Sequence, residues 1–299
     1  MSIGVLASAD PELVLDEAGK LLAADPVGHN VVGTKLADAI RYGEPGRYWI
    51  GLLDGLPTGI AVQQPADTSL AVGPMPAELV AATADALAAD GVALPGVFGP
   101  AGIASRFAEA WARQPKISAV LTSEEQLYEV RDVRFPDGVA GALRRAADAD
   151  RELLLSWLPG FQVGACWAGS DPAAVFVTRR LAAGDLWIWD DDIPVSMAAR
   201  TEAVVGVSRI QAVNTPPEQR RRGYASAGVA ALSASVLAQG LRCVLHANVS
   251  NVAATSVYQR LGYRAVSDLR SLATDDCSRY RVISTMAFAT RSGSRSGSR

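Results

Sequence analysis

The sequence contains few of the residues that build metal sites and disulfide frameworks, and it has no long apolar run. Three cysteines lie far apart and there are two histidines, so free thiols are expected and no Cys/His spacing suits zinc. Because no run of about eighteen apolar residues occurs, no membrane-spanning helix is expected. A net charge of −3 provides no basic field for nucleic acid. These absences predict a metal-free, cytoplasmic protein without nucleic-acid or membrane partners.

The composition predicts a globular protein with one large domain or two smaller ones. Of the 299 residues, 49% are hydrophobic and 20% are charged, which is enough apolar material for a core. A polar stretch with Pro136, Asp137 and Gly138 is typical of a linker. It divides the chain into predicted domains at residues 1–133 and 134–290. The repetitive residues 291–299 predict a disordered tail.

Apolar patterns predict helices and strands along both domains. In the first domain they indicate helices at residues 11–22, 31–40, 78–89 and 103–113 and strands at residues 48–55 and 59–64. In the second domain they indicate helices at residues 144–158, 225–239 and 252–261 and strands at residues 173–179, 185–190, 193–200, 204–213 and 241–247, with a final strand pair within residues 265–288. Strands that alternate with helices in this way predict a mixed α/β sheet with helices on its faces.

A basic turn lies between a predicted strand and a predicted helix. Pro216 and Pro217 end the strand, and three arginines then precede Gly223, namely Arg220, Arg221 and Arg222. A helix N-terminus offers unpaired N–H groups and a partial positive charge, which suit an anion. Since Gly223 and Ala225 have little or no side chain, a diphosphate can approach the backbone closely. This segment predicts a binding site for a phosphorylated cofactor.

A second motif follows the next predicted strand. Asn251 precedes a short helix, Tyr258 lies inside it, and Leu261, Gly262 and Tyr263 lie at its end. The glycine stands in the position of a helix C′ residue. The tyrosine keeps its proton at neutral pH, because the ordinary pKa of a phenol is about 10. It can therefore donate as negative charge develops nearby.

These two motifs, in this order and each in a strand–helix context, resemble the acyl-CoA signatures of the GNAT superfamily of N-acetyltransferases. The resemblance covers residues 155–288 and implies the GNAT acyl-CoA N-acyltransferase fold there. The helix–helix–strand–strand opening of the first domain is similar to the start of the same fold. No Arg-x-x-Gly-x-Ala pattern follows it, and Pro74 and Pro76 stand there instead. We therefore predict a degenerate GNAT-like domain without a cofactor site, with an unrelated α/β lid or dimer surface as the alternative.

The resemblance implies an acetyl-CoA-dependent N-acetyltransferase whose acceptor is a primary amine of a small molecule or a protein. The pantetheine of acetyl-CoA would run along residues 210–213, and its pyrophosphate would bind the N–H groups of residues 221–226. The implied cofactor-binding residues are Gln211, Ala212, Val213, Arg220, Arg221, Arg222, Gly223, Tyr224, Ala225, Ser226 and Asn251. Tyr258 is the implied catalytic acid toward the departing thiolate, and no metal is implied.

Several questions stay open at the level of sequence. The general base is a water chain or one of five side chains that are equally explained as surface or structural residues, namely Asp190, Asp191, Asp192, Glu202 and His246. Arg200 either binds a substrate carboxylate or lies at the surface. Ala254 and Thr255 stand where the family often has a Ser-Asn pair, so that one hydroxyl is kept there. The chain could instead be a non-catalytic acyl-CoA-binding or sensing module, or a transferase with a longer acyl donor. A homodimer also stays open.

Overall fold

The described residues, 1–114, 117–158 and 172–274 of a computed structural model, form one mixed sheet of twelve strands with eight α-helices. The elements of the N-terminal half are β1 (Ile3–Ser8), α1 (Pro11–Ala24), α2 (Asn30–Tyr42), β2 (Arg47–Leu53), β3 (Leu56–Gln63), β4 (Leu70–Val72), α3 (Ala77–Ala89), β5 (Gly96–Pro100), α4 (Ala101–Trp111) and β6 (Ala119–Val130). Those of the C-terminal half are β7 (Ala142–Arg145), α5 (Arg151–Ser156), α6 (Pro172–Ala183), β8 (Leu186–Asp191), β9 (Ile193–Arg200), β10 (Val207–Asn214), α7 (Tyr224–Leu237), β11 (Arg242–Asn248), α8 (Val252–Arg260) and β12 (Arg264–Thr274).

The α-helices and strands of the described residues follow the same order in the two halves. Each half runs strand, two α-helices, three strands, α-helix, strand, α-helix and strand. In each half the fourth and fifth strands are parallel, β4 with β5 and β10 with β11. The other strand pairs of the described residues are antiparallel. The C-terminal half therefore repeats the architecture of the N-terminal half.

The last strand of each half is exchanged with the other half. The strands lie in the order β1-β2-β3-β4-β5-β12-β6-β11-β10-β9-β8-β7, so β12 pairs with β5 and β6 pairs with β11. At this junction Val27 and Phe98 of the N-terminal half pack with Val207 and Val244 of the C-terminal half. The predicted division after residue 133 stays a prediction, since the sheet is continuous across it.

The alternation of side chains along the strands places one layer of helices on each face. Along β11, Cys243 and Leu245 point to the side of α7 and α8, where both are buried. On the opposite face, Leu154 of α5 and Val177 of α6 pack on β8 and β9. Because strand side chains alternate between faces, each residue of β10 and β11 belongs to one of these two layers. Cys243 is a free, buried thiol.

Residues 173–179 were predicted to be a strand, and this prediction is wrong because they lie in helix α6. The β-branched run that suggested a strand is short, and it is followed by helix-favouring residues up to Ala183. Pro172 begins the helix, a position that tolerates proline. Val177 is completely buried against Leu154 and Leu186. Tertiary packing therefore overrides the local strand preference.

The prediction of a single helix at residues 144–158 is also wrong in its first part. Residues up to Arg145 belong to β7, and α5 starts at Arg151. The ion pair from Arg144 to Asp150, with a nitrogen–oxygen distance of 2.8 Å, closes the turn between them. The strand predicted at residues 204–213 is β10, which starts at Val207 because a tight turn between Val204 and Val207 precedes it.

Some predictions fall outside the described residues: the second strand within residues 265–288, the disordered tail, and the two remaining cysteines, Cys166 and Cys277. Within the described residues, no helix is both long and apolar enough to cross a membrane. The same residues hold no cluster of His, Cys, Asp and Glu suited to a metal ion.

Candidate active site

Strands β10 and β11 separate halfway along their length. Their parallel pairing ends at Ile210 and Leu245. Beyond this point β10 follows β9, with a bulge in which Ala212 has a φ of 51°, and β11 follows β6 as far as Asn248. We call the space between residues 211–213 of β10 and 246–248 of β11 the strand gap. Its unpaired β10 backbone lies where the sequence predicts the pantetheine arm.

The predicted phosphate loop leads from β10 into the N-terminus of α7. Gly223 is the N-cap residue, with a φ of 87° and no side-chain cap. Within the described part of the chain, the backbone N–H groups of residues 221–226 donate no hydrogen bond. Arg221 and Arg222 are exposed beside them, and Nε of Arg220 donates to the carbonyl oxygen of Thr215 at 2.9 Å. The loop therefore presents free donors and positive charge, which together favour an anion.

Two contacts hold this loop in place. The hydroxyl of Tyr224 donates to Oδ2 of Asp191 at 2.6 Å, and this hydrogen bond raises the pKa of the tyrosine. A Cβ built on Gly223 would lie 2.8 Å from Cγ2 of Val139. Two observations therefore favour glycine at position 223: its φ lies in the left-handed region, and a side chain there would collide with Val139.

Tyr258 lies on α8 and faces the core beneath α7. It is 9% exposed, and its ring meets the ring of Tyr263 edge to face at a centroid distance of 5.9 Å. Burial raises the pKa of Tyr258 to about 12. Its hydroxyl has no hydrogen-bond partner among the residues that the structure describes. The side chain is thus protonated at neutral pH and free to donate.

Helix α8 is bounded by the residues that the sequence motif marks. Asn251 is its N-cap, and Oδ1 of this side chain accepts from the N–H of Ala254 at 3.1 Å. The carboxamide therefore has a structural role, and its predicted contact with the cofactor stays a prediction. Gly262 follows the helix with a φ of 100°, and a Cβ there would lie 2.5 Å from the carbonyl oxygen of Asp132. Its predicted C′ position is confirmed.

Most of the candidate bases are engaged elsewhere. Asp190 pairs with Arg144 at 2.8 Å, Asp191 accepts from Tyr224, and Glu202 pairs with Arg41 at 2.6 Å. Asp192, in contrast, is exposed in the turn between β8 and β9. Arg200, the candidate for binding a substrate carboxylate, instead pairs with Asp185 at 3.1 Å.

His246 differs from these candidates because it lies at the strand gap. Its Nε2 atom is buried without a partner, and its Nδ1 atom lies 3.8 Å from Oε2 of Glu125. Burial, and after it the charge of Arg209, holds the pKa of His246 well below its ordinary value. The imidazole is therefore neutral. Sequence reasoning missed Glu125 and Arg209, although the alternation along β10 places Arg209 opposite the buried Ile210.

The corresponding gap in the N-terminal half is closed. The parallel pairing of β4 and β5 ends at Ala71 and Phe98, and the next two residues, Val72 and Gly99, remain in contact. A Cβ built on Gly99 would lie 2.4 Å from the carbonyl oxygen of Val72. The loop from β4 to α3 spans only residues 73–76, two of which are prolines without N–H groups. This half offers neither a gap nor a basic, donor-rich helix start.

We expect Gly99→Ala to destabilise the protein. The added methyl group meets backbone, which yields less than a side chain, so the free energy of unfolding should fall by about 1–3 kcal/mol. Gly102→Ala on α4 is the control, because a Cβ there meets no atom within 4 Å. It should leave stability unchanged or raise it by up to about 1 kcal/mol. Denaturant unfolding of both variants checks this, and equal midpoints would mean that the contact is readily relieved.

Comparison with known proteins identifies the fold. Residues 191–271 match the family model described as FR47-like protein. A GNAT-family acetyltransferase from Colwellia psychrerythraea has a TM-score of 0.53 and 11% identity, covering 92% of this chain and 99% of its own. A tandem GNAT protein from the clavulanic acid biosynthesis pathway also has a TM-score of 0.53 and 11% identity, covering 91% and 98%. A Drosophila protein has a TM-score of 0.63 and 11% identity, covering 90% and 97%. The comparison with curated proteins gave no match.

The protein therefore has the fold of the GNAT superfamily, and the resemblance seen in the sequence is confirmed. Its FR47-like segment contains the strand gap, the loop before α7 and Tyr258. The two halves, with their repeated order of elements, are consistent with a tandem GNAT architecture.

Proposed function

We propose that the protein is an acetyl-CoA-dependent N-acetyltransferase that acts on a primary amine of a small molecule or a protein by direct attack in a ternary complex. The observation that carries this proposal is the strand gap together with the helix that follows β10. The N-terminus of this helix has no side-chain cap and lies beside Arg221 and Arg222. A gap of this kind suits an extended arm, and the helix start suits a diphosphate.

The residues at the gap fit the acyl donor along its length. The unpaired backbone of residues 211–213 can hydrogen-bond the pantetheine as an added strand would. The free N–H groups of residues 221–226 can bind the pyrophosphate, and Gly223 leaves room for its approach. Acetyl-CoA supplies an activated thioester. Backbone N–H groups at the β10 bulge can stabilise negative charge on the thioester oxygen.

The side chains around the gap can handle the protons of the reaction. The neutral His246, with its free Nε2 atom, can accept a proton from the amine directly or through water. Tyr258 can donate a hydrogen bond to the departing thiolate. The ordinary pKa of a thiol is about 8.5, far below the pKa of about 12 of this phenol. Tyr258 therefore stabilises the thiolate while it keeps its own proton.

The proposal is tested by incubating the protein with acetyl-CoA and a panel of primary amines while thiol release is measured. Amine-dependent release above the hydrolysis rate is the expected result. Calorimetric binding of acetyl-CoA without turnover of any amine would instead support an acyl-CoA-binding or sensing module. Absence of acetyl-CoA binding would contradict both functions.

We also expect one acetyl-CoA bound per chain. In the C-terminal half the pairing of β10 with β11 ends at Ile210 and Leu245, which leaves the following β10 backbone unpaired on that side, whereas Val72 and Gly99 stay in contact at the corresponding position of the N-terminal half. Isothermal titration calorimetry with a protein of known active concentration gives the ratio directly. A ratio of two would mean that the N-terminal half opens to bind a second molecule.

A further inference from the structure

A cluster of charged side chains lies between the two halves, on the face of the sheet that α6 covers. Gln211 of β10 pairs with Ala199, which packs under α5 and α6, so Gln211 and Arg209 both point to this face. Nη1 of Arg209 donates to Oδ1 of Asn30 on α2 at 2.8 Å. Both halves therefore contribute to what we call the interhalf cluster.

The interhalf cluster contains more positive than negative charge. Electrostatic interactions connect four cations with three carboxylates, namely Lys35, Arg179, Arg180 and Arg209 with Asp38, Glu44 and Glu125. Glu44 pairs with Arg179, and Asp38 pairs with Arg180 at 3.4 Å. Among the described side chains, Arg209 has no ion-pair partner within 4 Å. Its hydrogen bond is to the neutral Asn30.

Two buried polar atoms without a partner in this cluster and beside it are hydrogen-bond donors. Arg180 is 6% exposed, and its Nη1 atom is buried without a partner. The same is true of Nε2 of Gln211. Burial, and after it the charge of Arg180, lowers the pKa of Arg209 to about 10. Guanidinium and amide N–H groups only donate. Asp38 is one carboxylate that interacts with both arginines, and the remaining donors of Arg180 and Gln211 can bind a further anion.

These donors lie close to the strand gap, where the acetyl transfer is proposed to occur. Gln211 is the first residue of the strand gap, and Arg209 precedes it by two residues on the same face. This spacing is roughly 7 Å along an extended strand, which is within the reach of an arginine side chain. A small molecule could therefore place an amine at the gap and an anionic group on the arginines.

We propose that the interhalf cluster selects an amine acceptor that carries an anionic oxygen group, a carboxylate or a phosphate, which Arg209 and Arg180 bind. This inference rests on the proposed acetyltransferase function and adds the substrate class to it. The N-terminal half then has a direct role, because Asn30 of α2 orients the arginine that recognises the acceptor.

The test uses pairs of amines that differ in the anionic group alone. Glycine is compared with glycinamide, β-alanine with its amide, and phosphoethanolamine with ethanolamine, with thiol release from acetyl-CoA as the readout. Each compound is also titrated by calorimetry in the presence of CoA, so that binding without turnover is detected. The anionic member of at least one pair should bind or react at least tenfold better. The carboxylate and phosphate pairs separate the two sources of the anion.

Variants of Arg209 test whether this residue causes the preference for the anionic amine. Arg209→Gln should raise KM, or Kd, for the anionic member roughly ten- to a hundredfold, the range for a lost charged hydrogen bond. The preference is read as the ratio between the anionic and the neutral member, because loss of the Arg209 charge also acts on the pKa of His246 and hence on both members. Acetyl-CoA affinity should change little, and Arg209→Lys should restore part of the preference. Arg242→Gln is the matched control, since Arg242 lies on β11 and pairs with Glu129 at 2.7 Å outside the cluster. Melting temperatures verify that each variant is folded.

No preference for an anionic member in any pair, by turnover or by binding, would overturn the inference. A preference that survives in Arg209→Gln would overturn it as well. Either result with intact acetyl-CoA binding and amine turnover would leave the acetyltransferase function standing. Failure to bind acetyl-CoA would reject that function instead.

Discussion

Gly223→Val should abolish measurable acetyl-CoA binding. Valine at a φ of 87° is strained by about 1–2 kcal/mol or more, and its side chain would occupy the space through which a diphosphate reaches the backbone. A Cβ at this position also meets Val139 at 2.8 Å. Calorimetric titration should show at least a hundredfold weaker binding, with catalysis lost in parallel.

Two controls distinguish a blocked approach of the cofactor from the effects of backbone strain and loop displacement. Gly240→Val introduces valine at a φ of 74°, where a Cβ meets no atom within 4 Å, so it carries the backbone cost without obstructing the loop. Gly223→Val combined with Val139→Ala removes most of the contact with the neighbouring loop. Binding should be normal in the first control and absent in the second. Recovery of binding in the double variant would mean that loop displacement, not a blocked approach, causes the loss.

Tyr258→Phe should lower kcat and kcat/KM together by on the order of a hundredfold, the usual contribution of a general acid or its equivalent hydrogen bond. Among the described residues the hydroxyl has no hydrogen-bond partner, and its pKa of about 12 keeps it protonated. The proposed interaction with the thiolate would matter mainly in the transition state. Phenylalanine keeps the ring and its contact with Tyr263. Acetyl-CoA affinity should therefore change little.

Tyr263→Phe is the matched control for this measurement. The hydroxyl groups of Tyr263 and Ser233 form a hydrogen bond of 2.6 Å inside the same core. The variant should therefore lose about 1 kcal/mol of stability, and its turnover should be unchanged. Steady-state rates at saturating acetyl-CoA distinguish the two tyrosines. A near-normal kcat in Tyr258→Phe would make this residue a packing residue and leave the thiolate to water.

The loop before α7 and the ends of α8 could be predicted because each depends on neighbours in the sequence. Gly223 and Gly262 adopt positive φ values, which glycine allows at low cost, and the arginines and Tyr258 stand at fixed distances from them. The same local reasoning failed for residues 173–179. There a short β-branched run suggested a strand, and the buried contact of Val177 with Leu154 decided for a helix.

The sequence by itself determined the GNAT resemblance, the basic loop before α7, and the lack of a second such loop after β4. Only the tertiary structure decided the exchange of β6 and β12, the closed gap at Gly99, and the interhalf cluster around Arg209. The physical reason is the range of the interactions. Turns and helix ends are set by the backbone preferences of a few adjacent residues. Strand order and the environment of a buried charge depend on contacts between distant segments, such as Asn30 with Arg209, and no local pattern specifies these.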